Sequence, residues 1–164
     1  MASLIPLMTR DDAPLLAKQY LDGEQNPLAA LIAHVPEVLE VAMPMFGVVY
    51  GPTALPERLK EIVVLRTSAL NGCRYCTRVH AKLAADAGLD AEEVASLLLG
   101  APCPSTMNDG ERALAAFAEA MCVRPAEAVS PLKPFFRDDQ IVEFALLAGT
   151  TIFLNRFCTA MGLA

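Results

Sequence analysis

Two cysteines and a histidine fall within "NGCRYCTRVHAKLAADAG" (71–88), a stretch that otherwise has the pattern of an amphipathic helix. On a helix, Cys73, Cys76 and His80 stand at i, i+3 and i+7 and share one face. His80 is one turn beyond Cys76, close enough to exchange a proton with its sulfur directly or through a water. Cys73 is one turn before it, at a separation from which two thiols close a disulfide after a small local adjustment. It also opens the helix, where the macrodipole and free amides favour a thiolate. Dithiol redox chemistry fits this set. Zinc binding also fits, because two thiolates, an imidazole and a carboxylate make four ligands. The plain alternative is cysteine as small apolar filler.

The carboxylate is Glu61, which joins by geometry rather than adjacency. If the helices flanking Asn71-Gly72 fold back as an antiparallel hairpin, Glu61 lies about 16 Å from the turn and His80 about 13 Å, at ~1.5 Å per residue. The two are then level to within one helical turn. A carboxylate in the apolar ridge "EIVVL" is costly alone, and His80 is the partner that orients it and trades a proton with it. Glu61, His80 and Cys76 then make a base, a relay and a thiol of the kind that activates a nucleophile at neutral pH.

The elements that must hold these residues are helices. Asn26-Pro27 is an N-cap followed by proline at the first helical position, and Pro36 restarts a helix in which Pro44 is a candidate kink. Leu55-Pro56 begins "PERLKEIVVLRTSALNG", and Cys73 begins the next helix, running to Gly88. Asp90 with Glu93 and Asn108 with Glu111 are capping boxes. Asp138 starts the last long helix, "APCPSTMNDG" and "VRPAEAVSPLKP" are loops, and "DDAPLLAKQYLDG" is an opening segment closed by Gly23. No run alternates with period two, so the fold class is all-α. A thioredoxin-like site is disfavoured, because its motif follows a strand.

A shift of 82 residues lays 61–77 on 143–159, with Glu61 on Glu143, Cys76 on Cys158, and five identities in 17. An internal duplication and chance similarity between apolar helices both account for this. In the second copy Cys73 becomes Asn155 and His80 becomes Gly162.

The bulk numbers narrow the classes. A chain of 164 residues fits a single domain, 1–164, whose core needs no disulfide or metal to hold it. Five cysteines, an odd count, and the lack of a basic and apolar leader in "MASLIPLMTRDD" point to a cytoplasmic chain with reduced thiols at rest. Net charge is −6 with 13 Lys+Arg and no basic run, which argues against nucleic acid or an anionic membrane as partner. The longest apolar run, "FALLAGTTIFL", has 11 residues, short of the roughly 20 a bilayer needs. With 54% hydrophobic residues and mean hydropathy +0.39, some surface is expected to meet another subunit.

Glu61, eleven residues, Cys73-x-x-Cys76, three more and then His80 resembles the signature of the alkylhydroperoxidase D-like (AhpD-like) proteins in the carboxymuconolactone decarboxylase superfamily. The resemblance covers 26–88, including "AHVPEVLEVAMPMFG", and more loosely the last helix with "LNR" at 154–156. It implies an AhpD-like helical bundle, a homo-oligomer (trimer or hexamer), and a thiol-dependent peroxidase or disulfide reductase acting on a peroxide substrate. It further implies Cys76 as the attacking thiol, Cys73 as the resolving thiol, Glu61 with His80 as proton relay, and an external dithiol as reductant. No metal, haem, flavin or other cofactor is implied. The chain departs from the best-known member in having Tyr75 where that member has a histidine, so that member's particular relay and reductant do not carry over. The alternatives are a cofactor-free lyase of the decarboxylase type and a non-enzymatic helical oligomer that senses oxidant or binds zinc.

The remaining candidates read more plainly. Cys122 and Cys158, in apolar stretches without a nearby histidine, read as core filler, and Cys103 as a loop thiol. His34 reads as a polar cap at a helix junction, with a place in the cavity wall as the alternative. Met43, Met45, Phe46 and Met121 read as core or cavity lining, and Glu143 as an ion-pairing or interface carboxylate. Arg66 is either a surface charge or a counterion near the site.

Overall fold

The structure, a computed structural model, describes residues 3–22 and 26–164. Among these residues there are α-helices and no strand, as the periodicity requires: α1 Leu15–Lys18, α2 Pro27–Ile32, α3 Pro36–Tyr50, α4 Glu57–Leu70, α5 Arg74–Asp86, α6 Ala91–Leu99, α7 Asp109–Val123 and α8 Asp138–Ala160. Two short 3₁₀ turns, Pro125–Glu127 and Ser130–Leu132, lie in the segment read as loop. The opening segment makes only the single turn of α1, and Gly23, expected to close it, lies outside the described residues.

Helix α4 is the centre of the bundle, packed against α5, α6, α7 and α8. Its β-branched run is helical because every face meets another helix: Ile62, Val63, Val64 and Leu65 are all buried. A helix that is apolar all round is a core helix. The charges it carries are neutralised locally. Lys60 Nζ donates to the Gly51 carbonyl at 2.8 Å and stands 3.2 Å from Glu143, so Glu143 is an ion-pairing carboxylate. Arg66 is 5% exposed and donates to the Leu97 carbonyl at 3.1 Å and to Glu119. That makes it a buried structural cation rather than a surface charge.

Both predicted capping boxes form, and their glutamates serve a second purpose. Arg58 Nε donates to Glu111 at 2.6 Å, and its terminal nitrogens donate to Glu93 at 2.8 and 3.0 Å and to the Gly88 carbonyl at 2.6 Å. One guanidinium thus ties the starts of α6 and α7 to α4. The Arg58 hydrogen bonds hold the Glu93 carboxyl at about 2, well below the usual range.

Helix α8 is long and apolar enough, by length and composition, to cross a membrane. In the bundle it packs on α3, α4, α5 and α7 and buries Phe144, Leu147, Ala148, Thr151, Asn155 and Cys158. It also bears on the 82-residue offset. Residues 143–159 are one unbroken helix, whereas 61–77 span the end of α4, a turn and the start of α5. The two segments correspond only up to residue 70, and Cys76 and Cys158 occupy different kinds of position.

The turn between α4 and α5 is what fixes the first cysteine. Gly72 takes φ 67°, its N–H donates to the Ala69 carbonyl at 3.0 Å, and the Cys73 N–H donates to the Ser68 carbonyl at 3.1 Å. These two bonds are the Schellman closure of a helix C-terminus. Cys73 therefore does not begin α5 as a helical residue. It is the extended N-cap, φ −80° and ψ 94°, and its Sγ accepts from the Cys76 N–H at 3.3 Å.

Candidate active site

Folding α4 and α5 back on each other about Gly72 brings Glu61 and His80 into contact. His80 Nδ1 is 3.0 Å from Glu61 Oε2 and 3.2 Å from Oε1, and both side chains are largely buried. Against a carboxylate, which only accepts, Nδ1 is the donating nitrogen of the pair. Tyr50, at the end of α3, packs its ring against the imidazole with centroids 5.9 Å apart.

Tyr50 is itself held from α8. The Thr151 hydroxyl donates its one proton to the Leu147 carbonyl at 2.8 Å, so in the 2.8 Å contact between Tyr50 and Thr151 the phenol is the donor. Burial pushes the Tyr50 phenol up to about 12, with the Glu61 charge adding to the rise, and it stays protonated through the neutral range.

Cys73 and Cys76 are joined as a disulfide with Cα atoms 5.3 Å apart. In place of the reduced thiols expected of a cytoplasmic chain, the corner sets the two residues at the usual bridging separation. Cys73 is fully buried, whereas Cys76 is 7% exposed, and Cys76, with Glu61 and His80, lines a cavity of about 310 Å³. Leu28, Met43, Phe46, Val79, Leu83 and Leu154 supply its apolar walls, and among its described lining residues there is no lysine or arginine. Tyr75 also lines it; burial raises its phenol, partly offset by Arg78, whose guanidinium carbon stands 5.7 Å from the ring centroid.

A third sulfur, on Cys158, joins the bridged pair from α8. Cys158 of α8 lies with Cys73 and Cys76 so that the three sulfurs are all within 4.8 Å of one another. Burial pushes its thiol up to about 11. Among the described residues Glu61 and His80 bond each other, whereas the ligand atoms that converge are those of Cys73, Cys76 and Cys158. Beside them Asn155 Nδ2 donates to Ser68 Oγ at 3.0 Å and Asn155 Oδ1 accepts from Asn71 at 3.2 Å, a polar floor that α8 contributes. Only long-range packing brings these α8 residues in, and the sequence signal for Cys158 was its alignment with Cys76.

The other candidates lie elsewhere. His34 lies between α2 and α3 but caps neither: its Nε2 is 2.8 Å from the Pro6 carbonyl, and it lines a second, apolar cavity with Ile5 and Phe157. Cys122 accepts from Asn71 Nδ2 at 3.5 Å, and burial raises both its thiol and that of Cys103. Met43 and Phe46 line the cavity, Met121 packs on the core, and Met45 is exposed.

The carboxymuconolactone decarboxylase family model matches residues 36–120, just over half of the chain. The chain belongs to that family. Several solved structures share its fold. A peroxidase-related protein from Ralstonia eutropha JMP134, described as an alkylhydroperoxidase AhpD core, superposes with TM-score 0.82 at 20% identity over 99% of this chain and 91% of that one. A peroxidase-related protein from Silicibacter sp. TM1040 gives 0.82 at 21% identity over the same shares. The debrominase Bmp8 in complex with 2,3,4-tribromopyrrole gives 0.79 at 22% over 98% and 90%. At these identities the similarity establishes the AhpD-like helical fold of this family member. No curated protein matches the chain.

Proposed function

We propose that this family member is a cysteine-dependent peroxidase of the alkylhydroperoxidase D-like type, reducing organic hydroperoxides through Cys76 and Cys73. The observation that carries the reading is the Glu61–His80 pair and the Cys73–Cys76 bridge opening on one apolar cavity. In the reduced protein His80, oriented by Glu61, takes the proton of Cys76. The first turn of α5 favours the negative charge left on that sulfur. The thiolate attacks the terminal peroxide oxygen, the O–O bond breaks, and the alcohol leaves with a proton from His80. Cys76 is then a sulfenic acid. Cys73 attacks its sulfur, water leaves, and the disulfide forms. An external dithiol returns the two electrons, entering at Cys76, the sulfur of the pair that reaches the cavity.

The cavity also separates this reading from the lyase that the family's name suggests. A lactone carrying carboxylates needs cationic partners on burial, and the described lining offers no lysine or arginine and only His80, which Glu61 already engages. An uncharged alkyl hydroperoxide needs only apolar walls and a base. A brominated heteroaromatic, the ligand of the debrominase, meets the same apolar requirement, so both substrate classes belong in the assay. We further propose a cytoplasmic homo-oligomer, trimer or hexamer, supported by the apolar side chains that α3 and α8 leave exposed.

The test is single-turnover kinetics of reduced protein with cumene hydroperoxide. Cys76→Ser should lose the reaction, and Cys73→Ser should retain the first step. Full turnover by Cys76→Ser, or turnover indifferent to thiol alkylation, removes the proposal.

A further inference from the structure

The reaction above uses two of the three sulfurs that meet at the start of α5. The third, on Cys158, arrives from the far end of the chain. Cys158 is 2% exposed, packs with Cys73 and Cys76 among Leu28, Tyr75, Phe157 and Leu163, and lines the cavity that holds Glu61 and His80. Its sulfur stands within 4.8 Å of both members of the disulfide. That makes it their neighbour in the buried cluster, and a bond between Cys76 and Cys158 closes where the two Cα atoms come within about 7 Å. Cys103 and Cys122 have no such company.

We propose that Cys158 is a second resolving thiol for Cys76, giving the site an alternative bridge, Cys76–Cys158, that ties α5 to α8. The inference rests on Cys76 being the thiol that peroxide oxidises. From the sulfenic acid, the Cys158 thiolate attacks Cys76 Sγ: the S–S bond forms, the S–O bond breaks, and hydroxide leaves, taking up the Cys158 proton as water. From the existing bridge, the same attack forms Cys76–Cys158 and breaks Cys73–Cys76. The electron pair leaves on Cys73, one proton passes from Cys158 to Cys73 overall, and no oxidant or reductant is needed.

The two resolving thiols differ in readiness. Cys73 is the N-cap of α5, held at the corner by the Schellman closure. Cys158 is buried, which raises its thiol, and it reaches Cys76 from another helix, whereas Cys73 is three residues away on the same corner, so Cys158 follows Cys73 in order. Its advantage is reach. A Cys73–Cys76 bridge spans three residues and constrains one turn, whereas a Cys76–Cys158 bridge closes half the chain and locks the cavity floor to its wall.

The arginines at 74, 78 and 156 make this easy to read, because trypsin leaves each of the three cysteines on its own peptide, Cys76 on "YCTR" (75–78) and Cys158 on "FCTAMGLA" (157–164). The variant is Cys73→Ser, which keeps a good N-cap. Reduced Cys73→Ser is treated with one equivalent of cumene hydroperoxide, alkylated, digested and mapped by mass. Linked 75–78 and 157–164 peptides are expected; a lasting dimedone-reactive sulfenic acid on Cys76 beside a free Cys158 overturns the proposal. A second arm oxidises the same variant with diamide, which needs no peroxide chemistry. If both thiols stay free there too, the proposal is overturned. If diamide closes the bridge and peroxide leaves Cys76 untouched, the peroxidase reading fails while the bridge stands.

Discussion

Replacing Glu61 by Gln removes one charge from the site and little else. The amide oxygen still accepts from His80 Nδ1, which stands 3.0 Å from the carboxylate, so the imidazole keeps its orientation. On the proposed mechanism, what is lost is the negative charge that stabilises the imidazolium as His80 takes the Cys76 proton. At this distance and an effective dielectric of ~20, two full unit charges interact by about 5 kcal/mol, which is a ceiling. The gap between a charged and a neutral hydrogen bond, about 1–2 kcal/mol, is the floor. Proton transfer is partial in the transition state, so the expected loss sits in the lower part of this interval, about 1.4–2.8 kcal/mol, or tenfold to a hundredfold at ~1.4 kcal/mol per decade. Stopped-flow single turnovers of the reduced protein with an alkyl hydroperoxide read this directly, with thermal unfolding as a check on the fold. Glu61→Ala should lose more, because orientation goes with the charge. A Glu61→Gln rate within twofold of the parent, with the fold intact, would refute the relay.

Gly72→Ala should lower stability by about 1–2 kcal/mol in urea unfolding, purely through the left-handed φ of 67°, because a Cβ there meets nothing within 4 Å; an unchanged midpoint would remove the Schellman corner as the fixture of Cys73. Arg58→Met leaves the buried Glu93 and Glu111 carboxylates unpaired and should cost roughly 3–5 kcal/mol at pH 7. The Glu93 carboxyl is held down to about 2, so the stability it lends is full above the ordinary carboxylate range and is lost as pH falls from there towards 2. Parent and Arg58→Met should therefore converge on acidification, and a gap that persists at pH 2 would sink the assignment. Val38, Val41, Met45 and Val48 on α3 and Val142, Leu146 and Phe153 on α8 are exposed, so sedimentation velocity should find a multiple of the 17.5 kDa chain that Val41→Glu with Leu146→Glu dissociates. A monomeric parent at micromolar concentration would refute the assembly.

The Glu61–His80 contact was legible because two helices joined by a three-residue turn, 71–73, have a calculable register. Counting turns from Gly72 placed Glu61 level with His80, and they touch. Helix starts were legible for the same local reason, since Asn26, Asp90 and Asn108 each cap through their own side chain. The Arg58 clamp was not, because a capping-box glutamate shows its first partner in sequence and its second only in space. Nor was the oxidised pair legible: spacing says that two thiols can meet, not that they have.

Cys158 shows where register stops being a guide. Its alignment with Cys76 under the 82-residue shift was a likeness of residues, and the structure gives the two unlike settings, one in the first turn of α5 and one near the end of an unbroken α8. They meet because α8 packs against both α4 and α5, bringing Asn155 and Cys158 to the corner that Gly72 makes. The same packing sets which side chains face Cys76. Among the described lining residues His80 is the one side chain that can carry a positive charge, and Glu61 already engages it. On the proposed reading, a sulfur that attacks a weak O–O bond needs only access and a base, so selection would rest on reactivity at Cys76 rather than on recognition by the walls.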